Sequence, residues 1–213
     1  MMTATMTHDA KFWDKTAPKY FKSPIKDVAA YQRKLATTRR YLTAQTRLLE
    51  LGCGTGGTAI KHAPYVNSVH AVDISEEMLS IGREQAKAAG VDINWQQADT
   101  ADFSAPAGSY DAVLALSHLH LLKDWRGAIS KVHTLLSPDG VFISSTVCLG
   151  GRFAWLALIA PLAKRLGLFP TLKIFTAKTF RAAVEDAGFE ILEDWRPPKS
   201  PVIFIVARRV EVE

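Results

Sequence analysis

Three glycines, Gly52, Gly54 and Gly56, follow the apolar run Arg47–Leu51 and lead directly into a helical stretch from about Gly57 to His62. Such a turn brings backbone close to a ligand without Cβ interference, and the helix beyond it offers unpaired N–H groups to an anionic group. Gly52, Gly54 and Gly57 also satisfy the dinucleotide pattern G-x-G-x-x-G, so the loop alone leaves a nicotinamide enzyme open. Asp73, 21 residues after Gly52, suits ribose hydroxyls in either case. Glu50 sits inside the apolar strand, where a carboxylate is costly to bury unless it meets an ammonium or water. Asp99 closes a third strand at the same sheet edge, within reach of an adenine amino group.

Short apolar runs alternate with helical stretches to position these groups. Strands are expected at 47–51, 68–74, 93–98, 110–116 and 141–147, with helices at 9–22, 27–42, 57–62, 75–90 and 124–136. Ser75 and Gly90 bound the fourth helix, and Pro138-Asp139-Gly140 makes a turn. The alternation predicts a mostly parallel sheet with helices on both faces. A helix at 176–187 precedes two strands, 191–196 and 202–208, joined only by Pro197–Pro201. That loop is too short for a crossover, so the pair must run antiparallel.

The stretches LLELGCGTG (48–56), VHAVDIS (69–75), QQADTADF (96–103), YDAVLALSHLHLL (110–122), LLSPDGVFISS (135–145) and AGFEIL (187–192) together resemble the class I methyltransferases that use S-adenosylmethionine (SAM), most of all the quinone-biosynthesis C-methyltransferases. The resemblance covers roughly residues 10–210. It implies a Rossmann-like α/β fold: a seven-stranded, mostly parallel sheet whose last strand is antiparallel. One domain would comprise an N-terminal helical lid (1–46), a SAM-binding core (47–147), an acceptor-covering segment (148–175) and a C-terminal helix with hairpin (176–213). By the same resemblance, the backbone at Gly52, Cys53 and Gly54 would hold the methionine part with Glu50 supporting that end, and Gly56 belongs to the same cofactor-binding turn. Asp73 would take the ribose, Ile74 would pack on the adenine, and Asp99 with the Thr100 backbone would meet its amino group. Leu116 and Ser117 would lie near the methyl donor. Trp13 and Tyr20, from FWDKTAPKY (12–20), would close over the cofactor. Cys53 could equally be a small turn residue, and Trp13 plain helix packing.

Sulfonium methyl transfer depends on alignment and exclusion of water, and it needs a base only when the acceptor must lose a proton. His118 and His120 stand beyond the fourth strand; if that strand continues through them, both face one side and one could serve as that base. The acidic N-P-P-Y type of motif expected there in amino-methylases of nucleic acids and proteins is replaced by S-H-L-H. No metal site is expected.

Charge is uneven. Residues 1–47 carry +7, 48–147 carry −5, 148–181 carry +6 and 182–213 carry −3. The basic segments suit an acceptor with an anionic part, brief contact with an anionic membrane surface, or simply a solvated face. Residues 148–175 combine Phe153, Trp155, Leu156, Leu158 and Ile159 with Arg152, Lys164, Arg165 and Lys173. The expected activity is therefore methylation of a small, apolar or aromatic acceptor; phospholipid head-group N-methylation and an NAD-dependent oxidoreductase are the rivals. Nucleic acid is not an expected partner, since neither an aromatic RNA motif nor a helix-turn-helix is present. Two distant cysteines and no signal-like or bilayer-length apolar run point to a reducing cytoplasm.

Overall fold

The computed structural model describes residues 7–151, 155, 169–198 and 200–211. Most of the segment expected to cover the acceptor, including Arg152, Phe153, Leu156, Leu158, Ile159, Lys164 and Arg165, lies outside the described residues, as does Lys199.

The strands are β1 (Arg47–Leu51), β2 (Ser68–Asp73), β3 (Asn94–Gln97), β4 (Tyr110–Leu116), β5 (Leu136–Val147), β6 (Phe189–Trp195) and β7 (Val202–Arg209). They form one sheet in the order β3-β2-β1-β4-β5-β7-β6. The first five pair parallel, while β7 inserts antiparallel between β5 and β6. The helices are α1 (His8–Lys22), α2 (Val28–Arg39), α3 (Gly57–His62), α4 (Glu76–Ala89), α5 (Trp125–Leu135) and α6 (Ala177–Asp186).

Alternation along the strands divides the core in two. Leu49, Leu51, Val113, Phe142, Ile203 and Ile205 pack with Ile129, Val132, Phe180 and Val184 of α5 and α6. Leu48, Ala112, Leu114, Ile143, Phe204 and Val206 pack on the other face with Ala59, Leu79 and Ala86 of α3 and α4. Phe142, Phe180 and Phe204 are among the largest fully buried side chains, each contributing on the order of 1.5–3 kcal/mol by leaving water. At the sheet edge opposite the glycine turn, Arg47 grips Asp111 through its backbone N–H and guanidinium, at 2.8 and 2.7 Å. Arg47 holds the Asp111 carboxyl down at about 2.

The caps are as expected. Ser75 accepts from the Met78 N–H, Thr176 accepts from the Thr179 N–H, and Gly90 ends α4 in the left-handed region. Two expectations are corrected. The Pro138-Asp139-Gly140 turn does not precede β5 but lies inside it, as an irregularity in the pairing with β4 where Asp139 has φ 58°. Nor does β4 continue through the histidines. Ser117 turns left-handed (φ 57°), its N–H donates to the Ser145 carbonyl at 2.6 Å, and Leu119–Leu121 form a single 3-10 turn.

Candidate active site

The carboxyl ends of β1, β2 and β4, with the turn after β3, open into one cavity of about 630 Å³. Its floor is the glycine turn. Gly52 and Cys53 both donate to the Val72 carbonyl, at 2.8 and 3.0 Å, which ties the turn to β2. Gly52 and Gly54 have φ of 68° and 54°, in the left-handed region that glycine enters without strain. Asp73 fixes the arrangement: one carboxylate oxygen accepts from the Gly54 N–H at 2.8 Å, and the other from the Ser75 N–H at 2.9 Å. Burial raises the Asp73 pKa, against the lowering effect of these N–H groups.

Glu50 belongs to the face that Leu48 presents and lies beneath the turn, 3% exposed. Burial pushes its pKa up to about 8, with the Ala59 N–H pulling the other way and Asp73 adding to the rise. Its Oε2 has no hydrogen-bond partner. A buried carboxylate oxygen left unmatched behind the cavity lining favours a positive charge on the far side of the turn.

The opposite wall is built from β3 and β4. His118 packs against Gly52, so close that a Cβ on Gly52 would sit 2.1 Å from its Nδ1. Its Nε2 shares a 2.7 Å hydrogen bond with the Thr100 hydroxyl. Burial, and then the neighbouring His120, lower the His118 pKa to about 4. Burial alone does the same for His120, whose Nδ1 has no partner. Both rings are neutral near pH 7.

The Asp99–Phe103 turn is held from α5. Lys131 Nζ donates to the carbonyls of Thr100 and Phe103, each at 2.9 Å, and to that of Ala101. All three ammonium protons are thereby used. Asp99 turns one oxygen to the Ala101 N–H at 2.9 Å. Lys131→Met should loosen this turn and weaken cofactor binding roughly tenfold, as the loss of charge-assisted hydrogen bonds allows. Titration calorimetry with SAM on a variant that still melts cooperatively checks it; unchanged affinity would deny the lysine this role.

Helix α1 forms the roof. Trp13 and Tyr20 line the cavity and meet edge to face with ring centroids 6.4 Å apart. Tyr20 lies over the glycine turn, 3.9 Å from where a Gly54 Cβ would stand. Its phenol pKa is raised by burial and by Glu50 and Asp73. Asp14 latches the helix down: one oxygen accepts from the Ser75 hydroxyl at 2.6 Å and from the Glu77 N–H at 3.3 Å, at the N-terminus of α4. Asp9 accepts from the Thr171 N–H and hydroxyl, and the Lys173 N–H donates to the His120 carbonyl at 2.7 Å, so residues 171–173 join the same rim. Asp14→Ala should free α1 and speed cofactor release about tenfold, an effect of the size expected for a hydrogen bond to a charged group. Stopped-flow dissociation of SAM measures it, and an unaltered off-rate would count against a roof.

Trp13, Tyr20, Gly52, Gly54, Asp73, Ile74, Asp99, Thr100, Leu116, Ser117, His118 and His120 thus all border one cavity. Glu50, Cys53 and Gly56 do not. Cys53 is buried in the second core cluster, its thiol pKa pushed well up by burial and the two nearby carboxylates. Gly56 faces Trp95, whose ring would lie 2.3 Å from an added Cβ, so its glycine serves packing. Sequence reasoning missed Met78, Leu121, Leu122, Lys123, Ala128 and Lys131 on the wall, and Asp14 behind the roof. Met78, three residues past the Ser75 cap, and the run Leu121–Lys123 after the histidines were the available signals.

A parallel sheet with an antiparallel β7 inserted before β6, and a glycine turn after β1, is the architecture of class I SAM-dependent methyltransferases. Residues 48–140 match a family model described as a methyltransferase domain. The uncharacterized methyltransferase YcgJ of Bacillus subtilis is 32% identical over 47% of this chain and 40% of its own. Demethylmenaquinone methyltransferase of Thermus thermophilus is 32% identical over 46% of this chain and 45% of its own. The chain therefore matches less than half the length of these two curated relatives. The solved YcgJ structure superposes with a TM-score of 0.70, at 16% identity over 85% of this chain and all of that one. A SAM-dependent methyltransferase from Mesorhizobium loti gives 0.67, at 24% identity over 86% and 99%. At these identities the two structures speak for the fold alone.

Proposed function

We propose that the protein transfers a methyl group from SAM to a small, apolar or aromatic acceptor that carries an anionic part. The observation that carries this reading is the continuity of one cavity, from the turn framed by Asp73 and Asp99 to a wall of Leu121, Leu122 and Ala128. Its volume of about 630 Å³ is that of a small-molecule site, room for a cofactor with a modest acceptor.

The residues fit SAM on their own chemistry. The unmatched Glu50 oxygen suits the methionyl ammonium above it, and Gly54, with only Tyr20 at 3.9 Å from its Cβ position, leaves space for the backbone-like end. Asp73 keeps lone pairs for the ribose hydroxyls, and the second Asp99 oxygen can accept from the adenine amino group. When bound, SAM supplies an electrophilic methyl group on sulfur. The chain's part is then to align the acceptor, exclude water under Trp13 and Tyr20, and take a proton where the acceptor has one to lose. His120, neutral and with Nδ1 unpartnered, suits that last task better than His118, which is committed to Thr100 and Gly52.

Support for an anionic part comes from Lys123, which borders the cavity and has no ion-pair partner among the described residues. Against the oxidoreductase stands the C-terminal hairpin, which occupies the place of a second nucleotide-binding half.

Incubation with methyl-labelled SAM and fractionated extract, followed by identification of the labelled product, tests the proposal. Label in a lipophilic or aromatic acid supports it. Failure to bind SAM, or label confined to protein or nucleic acid, would overturn it.

A further inference from the structure

Every residue from Pro18 to Ala29 is exposed, across the last turn of α1, the corner after it and the start of α2. The stretch is apolar where a solvent-facing corner is ordinarily polar. Phe21 is 44% exposed, Ile25 51% and Val28 57%. Beside and between them stand Lys19, Lys22 and Lys26, none with an ion-pair partner among the described residues. The one acid, Asp27, is spent on capping α2 through the Ala30 N–H. Three large apolar side chains interleaved with three unpaired ammonium groups match the composition of segments that rest in the interface of an anionic bilayer: the chains enter the acyl boundary while the lysines meet lipid phosphates.

The corner adjoins the cavity. Tyr20, immediately before Phe21, lines the cavity and lies over Gly54. No helix among the described residues is long and apolar enough to cross a membrane.

We infer that the α1–α2 corner, through Phe21, Ile25, Val28 and Lys19, Lys22, Lys26, docks the protein on an anionic lipid surface with its cavity rim at the interface. An apolar acceptor could then pass from the bilayer to the site without crossing water. The docking does not require the methyl-transfer reading and is measured without SAM.

The full chain is sedimented with phosphatidylcholine vesicles, with and without about one third phosphatidylglycerol, at low salt and at 0.5 M salt. Binding to the anionic vesicles alone, weakened by salt, is expected. Lys22→Gln with Lys26→Gln should lower the partition coefficient about thirtyfold, at the usual contribution per lysine near an anionic surface. Phe21→Ser with Ile25→Ser should lower it at least tenfold, and both pairs should keep the parent melting temperature and SAM affinity. No binding, equal binding to neutral vesicles, or binding unchanged in both variants would overturn the inference. A protein that ignores vesicles but binds SAM loses only the docking surface; one that docks but ignores SAM loses only the proposed reaction.

Discussion

Glu50→Gln is expected to stabilise the cofactor-free protein at alkaline pH while weakening SAM binding by roughly a hundredfold, the scale of an interrupted buried charge pair. The folded protein holds the Glu50 proton up to about pH 8, whereas the unfolded chain releases it near 4.5. Between those values the native state binds more protons, so native stability falls as pH rises and levels off above about 8. The glutamine variant lacks that loss, and near pH 8.5 it should melt some 5–10 °C higher for a chain of this size. On the proposed reading, the methionyl ammonium held above Glu50 favours the carboxylate, so the same proton leaves on binding. SAM affinity should therefore climb between pH 6 and 8, by at most tenfold per unit, and calorimetric heats at pH 7 should depend on the buffer's ionisation enthalpy. A flat affinity profile with buffer-independent heats would remove Glu50 from the site.

Gly52→Ala should be the most damaging single methyl in the molecule. The backbone there has φ 68°, and the new Cβ would meet the His118 ring at 2.1 Å. Left-handed backbone and a displaced imidazole together cost roughly 3 kcal/mol or more. The displaced ring also gives up Thr100, so cofactor binding should fall below detection. Adding His118→Ala should recover the part of the stability due to the clash and leave the part due to backbone strain, a coupling that a double-mutant cycle isolates. Additive losses would mean that ring and glycine do not touch.

What was legible in the sequence was local. The Gly52–Gly54 turn, Asp73 and Asp99 could be read because strand ends, breakers and helix caps are written within a few residues of one another. The Pro197–Pro201 loop forced the antiparallel pair by length alone. Other features depend on partners far along the chain. Lys131 looks like any helix lysine until the turn 30 residues earlier supplies three carbonyls. Asp14 looks like surface charge until Ser75 is brought beneath it. Gly56 resembled a ligand contact because Trp95, which fills the space beside it, comes from another strand. The run through His118 and His120 alternates as a strand would, but the left-handed backbone at Ser117 turns the chain out of β4 into a 3-10 turn.

The insertion of β7 between β5 and β6 also sets an order of events at the ribosome. Ile203–Ala207 are wholly shielded from solvent, yet they are translated after both strands they separate. Until they emerge, β5 keeps an open edge and the β6 segment has no place to dock, so a nascent chain halted before Val202 would expose the seam where its sheet should continue. Such an intermediate is a natural client for a holding chaperone.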